Sequence, residues 1–304
     1  SEADYTVAVI PKGTTHEFWK SVHAGANKAA AELKEAGTTV EVIWKGPIKE
    51  DERAAQIQVV ETFITRGVDG IVLAPLDDQA LVRPVKNATT AGIPVVIIDS
   101  GLAGDDYLSF VATDNYRGGH LAGDHLARLI GGSGKVVMLR YQEGSASTMK
   151  REEGFLAAMK ERSEIEVISA GQYGGATVES AMQAAENLVP RLREADAVFC
   201  PNESTTFGML RALEEAGMAG DIRFVGFDSS PRLVEALKNK TIDGLVVQDP
   251  LRMGYLGLKT LVYHLDGETV KDRVDTGVTL VTTENMNKSE IKKLLEPPLD
   301  KYLP

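Results

Sequence analysis

Short β-rich runs alternate with helical patterns along almost the whole chain. The first set occupies residues 6–10, 17–36, 40–44, 51–66, 70–74, 79–91 and 93–98, strand first and helix second. That is the βαβ rhythm of a parallel sheet covered by helices on both faces. Within 17–36, Phe18, Val22, Ala26, Ala29 and Leu33 recur at three- and four-residue steps, the spacing of one buried helix face. Gly37, Gly67 and Gly92 stand where these helices should end.

After a loop at 101–106 the rhythm restarts. Strands are predicted at 108–112, 135–139, 166–170, 197–200, 223–227 and 244–247, and helices at 117–129, 148–162, 178–189, 203–216 and 231–238. The pattern therefore predicts an α/β fold of two doubly wound parallel-sheet lobes in tandem. A further helix at 251–265 and a strand at 277–282 exceed what the second sheet needs, so the chain is expected to cross back. The predicted lobes are residues 1–112 with 249–279, and 113–248 with 280–304. Several crossings make a multi-crossing hinge, a geometry suited to closing two lobes around a ligand. The tail from residue 287 is charged, then Pro-rich, and is expected to wrap the surface.

In open parallel sheets, ligands bind beyond the carboxyl ends of the strands. Five such ends carry polar or aromatic side chains: His16, Phe18 and Trp19 after the first strand, Asp99 after 93–98, then Asn202, Asp228 and Gln248 in the second half. Aromatic faces stack on the C–H faces of sugars. The alternative is that Phe18 only joins the buried stripe and Trp19 lies on the surface. His16 either donates to a hydroxyl or caps the helix. Asp99 and Asp228 end runs of similar pattern, Val-Ile-Ile-Asp-Ser and Val-Gly-Phe-Asp-Ser. A carboxylate accepts strong bonds from adjacent hydroxyls, although Asp in such loops also serves turns and caps. Arg151, near a helix start, either forms a fork to hydroxyls or makes an ion pair. Asn202 and Gln248 each offer a donor and an acceptor on one group.

Length, charge and cysteine usage narrow the class. The 304 residues accommodate two domains. A net charge of −11 argues against a nucleic-acid partner, which clustered Lys and Arg would mark. No stretch of about 18 apolar residues occurs, so no direct membrane insertion is expected. The single cysteine, Cys200, follows an apolar run and precedes Pro201, which reads as a buried strand thiol with no disulfide. Polar residues 1–5 without a Met suit a mature protein from which an export signal was removed. Gly-Gly-Ser-Gly at 131–134 precedes a strand and is neither a dinucleotide fingerprint nor a phosphate loop. No nucleophile elbow occurs, and the five histidines show no zinc-like partnering with carboxylates or Cys200 in sequence. Neither catalysis nor a cofactor nor a metal is expected.

Several stretches, in this order, carry a resemblance. They are Phe-Trp-Lys-Ser-Val-His-Ala-Gly-Ala at 18–26, Asp-Gly-Ile-Val-Leu-Ala-Pro at 69–75, Ile-Pro-Val-Val-Ile-Ile-Asp at 93–99, Thr-Asp-Asn at 113–115 with Gly118 and Gly119, Arg-Glu-Glu-Gly-Phe at 151–155, and Val-Gly-Phe-Asp at 225–228. Up to about Asn287 the chain resembles the type I periplasmic sugar-binding proteins of ABC transporters, in their ribose-binding-like branch. The resemblance implies that Phe18 and Trp19 stack on a sugar while Asp99, Asp228, Asn202 and Gln248 hold its hydroxyls. Three departures bear on the ligand: His16 replaces an asparagine, Ser100 an arginine beside Asp99, and Met149 an arginine two residues before Arg151. The position of a second-lobe aromatic falls on Ala176, with Tyr173 nearby as a substitute. The resemblance also implies a monomer in the periplasm or another extracytoplasmic space. It would capture a monosaccharide or polyol by lobe closure and deliver it to a membrane permease. The rival is the effector domain of a LacI-type transcription regulator, which shares this fold. Such a regulator carries a basic helix-turn-helix before the first strand, where only five residues precede Thr6 here.

Overall fold

Two six-stranded sheets, one per lobe, make up the computed structural model, which describes residues 2–304. The first lobe begins with β1 (Tyr5–Ile10), α1 (Glu17–Glu35), β2 (Val40–Trp44), α2 (Arg53–Arg66), β3 (Gly70–Leu73), α3 (Val82–Thr90), β4 (Val95–Ile98) and β5 (Ser109–Ala112). The second opens with α4 (Asn115–Leu129), β6 (Gly134–Met138), α5 (Ala146–Lys160), β7 (Ile165–Ser169), α6 (Val178–Asn187) and α7 (Val189–Glu194). It continues through β8 (Ala197–Phe199), α8 (Glu203–Glu215), β9 (Arg223–Phe227), α9 (Pro231–Lys238) and β10 (Gly244–Val247). The chain then returns to the first lobe with α10 (Pro250–Leu265) and β11 (Arg273–Asp275). It crosses once more to β12 (Thr279–Val281) and α11 (Ser289–Leu295), and finishes in a 3-10 turn, Leu299–Lys301.

Strand order is β11-β5-β4-β3-β1-β2 in one sheet and β12-β10-β9-β8-β6-β7 in the other. Both are the same doubly wound order extended by one edge strand, and pairing is parallel except for β12 against β10. Each sheet is covered on both faces. In the first lobe, Val22, Ala26, Ala29 and Leu33 of α1 join Leu258 and Leu261 of α10 on one face, while Val60, Phe63 and Val85 fill the other. The predicted stripe on α1 is thus the buried face. Cys200 is buried at the end of β8, as its apolar neighbours indicated.

The expected strand at 277–282 is the short β12 on the second sheet, and a further short strand that the pattern did not predict, β11, joins the first sheet just before residues 276–278 cross between lobes. The tail, assigned by its pattern to the second lobe, straddles both. Ile291, Leu294 and Leu295 pack on the second core, whereas the Tyr302 carbonyl accepts from Asn27 Nδ2 on α1 at 2.9 Å.

Glycine sets the closest helix contact in the second lobe. A Cβ on Gly119 of α4 would fall 1.9 Å from the Arg151 carbonyl oxygen on α5, and one on Gly154 would fall 2.0 Å from that of Tyr116. The two helices therefore touch through backbone, which places Arg151 against the cleft. We predict that Gly119→Ala costs about 3 kcal/mol or more of stability, the upper range for overpacking, because the obstacle is backbone. Thermal or urea unfolding measures it, and a loss under about 1 kcal/mol would mean that α4 slides freely.

Candidate ligand-binding site

The carboxyl ends of the two sheets face each other across a closed cleft. Lys12, His16, Phe18, Trp19, Glu50, Asp99, Ser147, Thr148, Arg151, Asn202, Asp228 and Gln248 line a polar cavity of about 20 Å³ there. A larger void of about 230 Å³ lies on the hinge side of Phe18, Asp228 and Gln248, roofed by residues 294–299 of the tail.

Topology brings the two aspartates together. Asp99 ends the fourth strand of one lobe and Asp228 the fourth of the other, and both adopt left-handed backbone, φ 68° and 71°. Few residues other than Gly tolerate that region, Asp among them, and such conformations cluster at functional sites. Asp228 accepts from Gln248 Nε2 at 2.6 Å and from the Glu203 backbone N–H at 3.2 Å. Burial pushes its carboxyl up, only partly countered by Arg151 and the Gln248 bond. Arg151 is held on three sides: Nε donates to Asn115 at 3.0 Å, Nη1 to the Pro201 carbonyl at 3.0 Å, and the guanidinium lies 4.1 Å from the Phe227 ring centre.

The aromatic pair is fixed edge-to-face, ring centres 4.9 Å apart at 88°. Trp19 is 3% exposed and belongs to the core of the first lobe, and its Nε1 donates to Glu50 at 2.9 Å. It lines the cavity as well, and the alternative that places Trp19 on the surface falls. His16 is the N-cap of α1 without making a side-chain cap bond, and its Nδ1 lies 3.1 Å from Glu50.

Glu50 is the group the sequence did not flag. It follows edge strand β2, and Trp19, His16 and, from the other lobe, the Tyr141 hydroxyl at 3.0 Å converge on its carboxylate. Burial pushes the Glu50 carboxyl up, but His16, Lys12 and these donors outweigh it and hold it below the ordinary range. Lys12, also unflagged, is buried and reaches across the cleft to Ser145 and Ser147 at 3.1 and 3.2 Å, with Asp99 3.5 Å away. Its place directly after β1 was the available signal, by the same strand-end rule that marked His16.

Of the expected site residues, His16, Phe18, Trp19, Asp99, Arg151, Asn202, Asp228 and Gln248 surround the cavity. Ser100 stands just behind it, its hydroxyl 3.1 Å from the Asp99 carboxylate and hydrogen-bonded to the Ser147 hydroxyl at 2.7 Å. Met149 and Tyr173 do not line it. Helical spacing turns Thr148 and Arg151 of α5 to the cleft and Met149 away from it. Tyr173 is tied by backbone to Arg140 and its ring is 38% exposed, so it does not substitute for the absent second-lobe aromatic. Two lining atoms, His16 Nε2 and Gln248 Oε1, are buried without a protein partner. The Asn202 carbonyl oxygen caps α8 through Thr205, leaving its amide N–H groups as the donors it can offer.

One expectation about histidines is corrected. His120 lies 3.2 Å from Asp124, four residues on along α4 and so legible in the spacing, and 2.8 Å from Glu161, which the packing of α4 on α5 brings in. Arg162 bonds Asp124 at 2.9 Å and approaches Glu161, making this an ion-pair network.

Residues 7–269 match the periplasmic binding protein domain family. The chain belongs to that family. Among its curated members, the ribose import binding protein of Salmonella typhimurium is 30% identical over 276 residues, covering 91% of this chain and 90% of that protein. Among solved members, a carbohydrate transporter solute-binding protein from Agrobacterium radiobacter in complex with D-arabinose superposes with a TM-score of 0.92. It is 34% identical and covers 97% of this chain and 100% of that one. An ABC transporter solute-binding protein from Agrobacterium vitis with bound D-fucose gives 0.90 at 36% identity, covering 95% and 99%. The two parallel-sheet lobes are those of type I periplasmic binding proteins. Among the described residues no helix is long and apolar enough to cross a membrane.

The depressed Glu50 carboxyl sets a pH dependence. A carboxyl held below its unfolded value of about 4.3 contributes stability above that pH and loses it as pH falls through the folded value. We predict that Glu50→Gln costs about 1–3 kcal/mol at pH 7, and that the gap to the unaltered protein narrows below about pH 4. Melting temperature against pH for both proteins measures it, and a constant gap across the range would contradict the assignment.

Proposed function

We propose that this chain captures a monosaccharide or polyol between its lobes by hinge closure and delivers it to the permease of an ABC transporter. The observation that carries this reading is the pair of buried, unpartnered atoms, His16 Nε2 and Gln248 Oε1, in one cavity with Asp99, Asp228 and Arg151. Buried polar groups are nearly always hydrogen-bonded, so these are valences for ligand hydroxyls. Phe18 and Trp19 supply the apolar face, and the rest of the lining, Arg151, Thr148 and Lys12 among it, is polar with no further Phe, Tyr or Trp. A ligand with one C–H face and one hydroxyl-rich face suits that asymmetry.

The enclosed 20 Å³ is room for one or two water molecules. A sugar therefore enters when the lobes part, and its hydroxyls replace the serines as partners of Lys12. No bond is made or broken in this mechanism, and catalysis has no place in it. The D-arabinose and D-fucose complexes of relatives support a pentose or 6-deoxyhexose as the first ligands to test, and transport proteins as relatives favour this reading over a regulator's effector domain. It places the protein outside the cytoplasm, acting as a monomer with both lobes presented to the permease.

A thermal-shift panel of pentoses, hexoses, deoxysugars and C4–C6 polyols, followed by calorimetry, tests it. The expected result is at least one hit whose affinity falls tenfold or more in Asp228→Ala, about 1–3 kcal/mol for stripping a buried acceptor. Silence across the panel, or a hit unaffected by Asp228→Ala, would overturn the assignment.

A further inference from the structure

Helix α1 begins in the first lobe, and its N-cap, His16, leaves the first N–H groups without a side-chain cap. Those of Glu17 and Phe18 donate instead to Oε2 and Oε1 of Glu203, at 3.0 and 3.1 Å. Glu203 is the first residue of α8, in the other lobe. A carboxyl group there accepts both bonds, one on each oxygen, at the positive end of the α1 dipole. The Glu203 backbone N–H meanwhile donates to Asp228 Oδ2 at 3.2 Å. One residue ties the ligand-site aspartate to the opposite lobe's helix.

We propose that Glu203 is a closure-dependent helix cap. It is a positioning residue that terminates α1 only when the lobes meet, so that capture of a ligand by Asp228 and closure become one event. The proposal rests on the binding reading above. When the lobes part, α1 loses its cap and the carboxylate returns to water, which distinguishes this contact from the caps that α4, α6, α8 and α9 carry within a single lobe.

The charged groups facing Glu203 are His16 from the start of α1 and Asp228 from the end of β9. The Glu17 side chain turns outward to Lys20, and Arg151 of α5 is engaged with the carbonyl of Pro201. Burial raises the Glu203 carboxyl to about 7, with Asp228 adding and His16 and the two N–H donors opposing. In the open form the group is in water with an ordinary value of about 4.3. The closed form then binds more protons near neutrality, so closure takes up a proton and binding tightens as pH falls from about 8 to about 6.

Two measurements test the proposal. Calorimetry with D-arabinose as probe, at pH 7 in buffers of different ionisation enthalpy, should show proton uptake that vanishes in Glu203→Gln. Independently of any ligand, spin labels at Lys45→Cys and Glu166→Cys, one exposed site on each lobe, report the interlobe distance, with Cys200 buried and unlabelled. Ligand-free Glu203→Ala should shift toward longer distances than the unaltered protein. Unchanged proton uptake in Glu203→Gln, or an unchanged ligand-free distance distribution in Glu203→Ala, would overturn the proposal. Failure of D-arabinose to bind concerns the ligand alone, because the label distances still decide the cap.

Discussion

Acidic side chains buried where two lobes meet must find their partners from both sides of the cleft. Removing a carboxylate from water costs several kcal/mol unless donors surround it. Glu50, Asp99, Asp228 and Glu203 are all buried at this junction. Glu50 takes donors from His16 and Trp19 in its own lobe and from Tyr141 in the other, and Lys12 spans the gap in the opposite sense. The closed arrangement is therefore a network that exists only when the lobes touch. That requirement explains why charge is concentrated at the strand ends and why so little of it faces solvent there.

The fold supplies the two walls. Two sheets of the same strand order put their carboxyl ends face to face, and the fourth strand of each delivers an aspartate in left-handed backbone. The chain crosses between the lobes at 113–114, 248–249 and 276–278, and the tail runs from α11 on the second core to α1 on the first lobe. The α4–α5 pair, in contact through Gly119 and Gly154, fixes the backbone of Arg151. Membership of the periplasmic binding protein domain family is in keeping with this division into two sheets joined by three crossings.

Much of this was legible along the chain, for a physical reason. Strand periodicity and helix-ending glycines are local, so the two sheets and the stripe on α1 follow from spacing alone. The strand-end rule turns topology into position, and it located Asp99, Asp228, Asn202 and Gln248. What it did not yield depends on distant partners. Lys12 becomes a cleft residue through serines more than 130 positions away. Glu50 sits in a loop whose burial is decided by Tyr141, and Glu203 looks like any acidic residue in a first helical turn until the other lobe arrives. Met149 and Tyr173 were placed by alignment to a pattern, and local backbone geometry sends them elsewhere. The unpredicted strand β11, which pairs with the first sheet just before the chain crosses to β12, depended on a lobe crossing that no local preference announces.

The central claim is that a sugar is held between the lobes by the groups that otherwise satisfy one another there. A crystal structure grown with the sugar giving the largest thermal shift tests it most directly. The account predicts the sugar in the cleft, its C–H face on Phe18 and Trp19, hydroxyls on Asp99, Asp228, His16 Nε2 and Gln248 Oε1, and Lys12 turned from Ser145 and Ser147 to the ligand. A sugar bound elsewhere, with the lobes closed and Lys12 still on its serines, would contradict it.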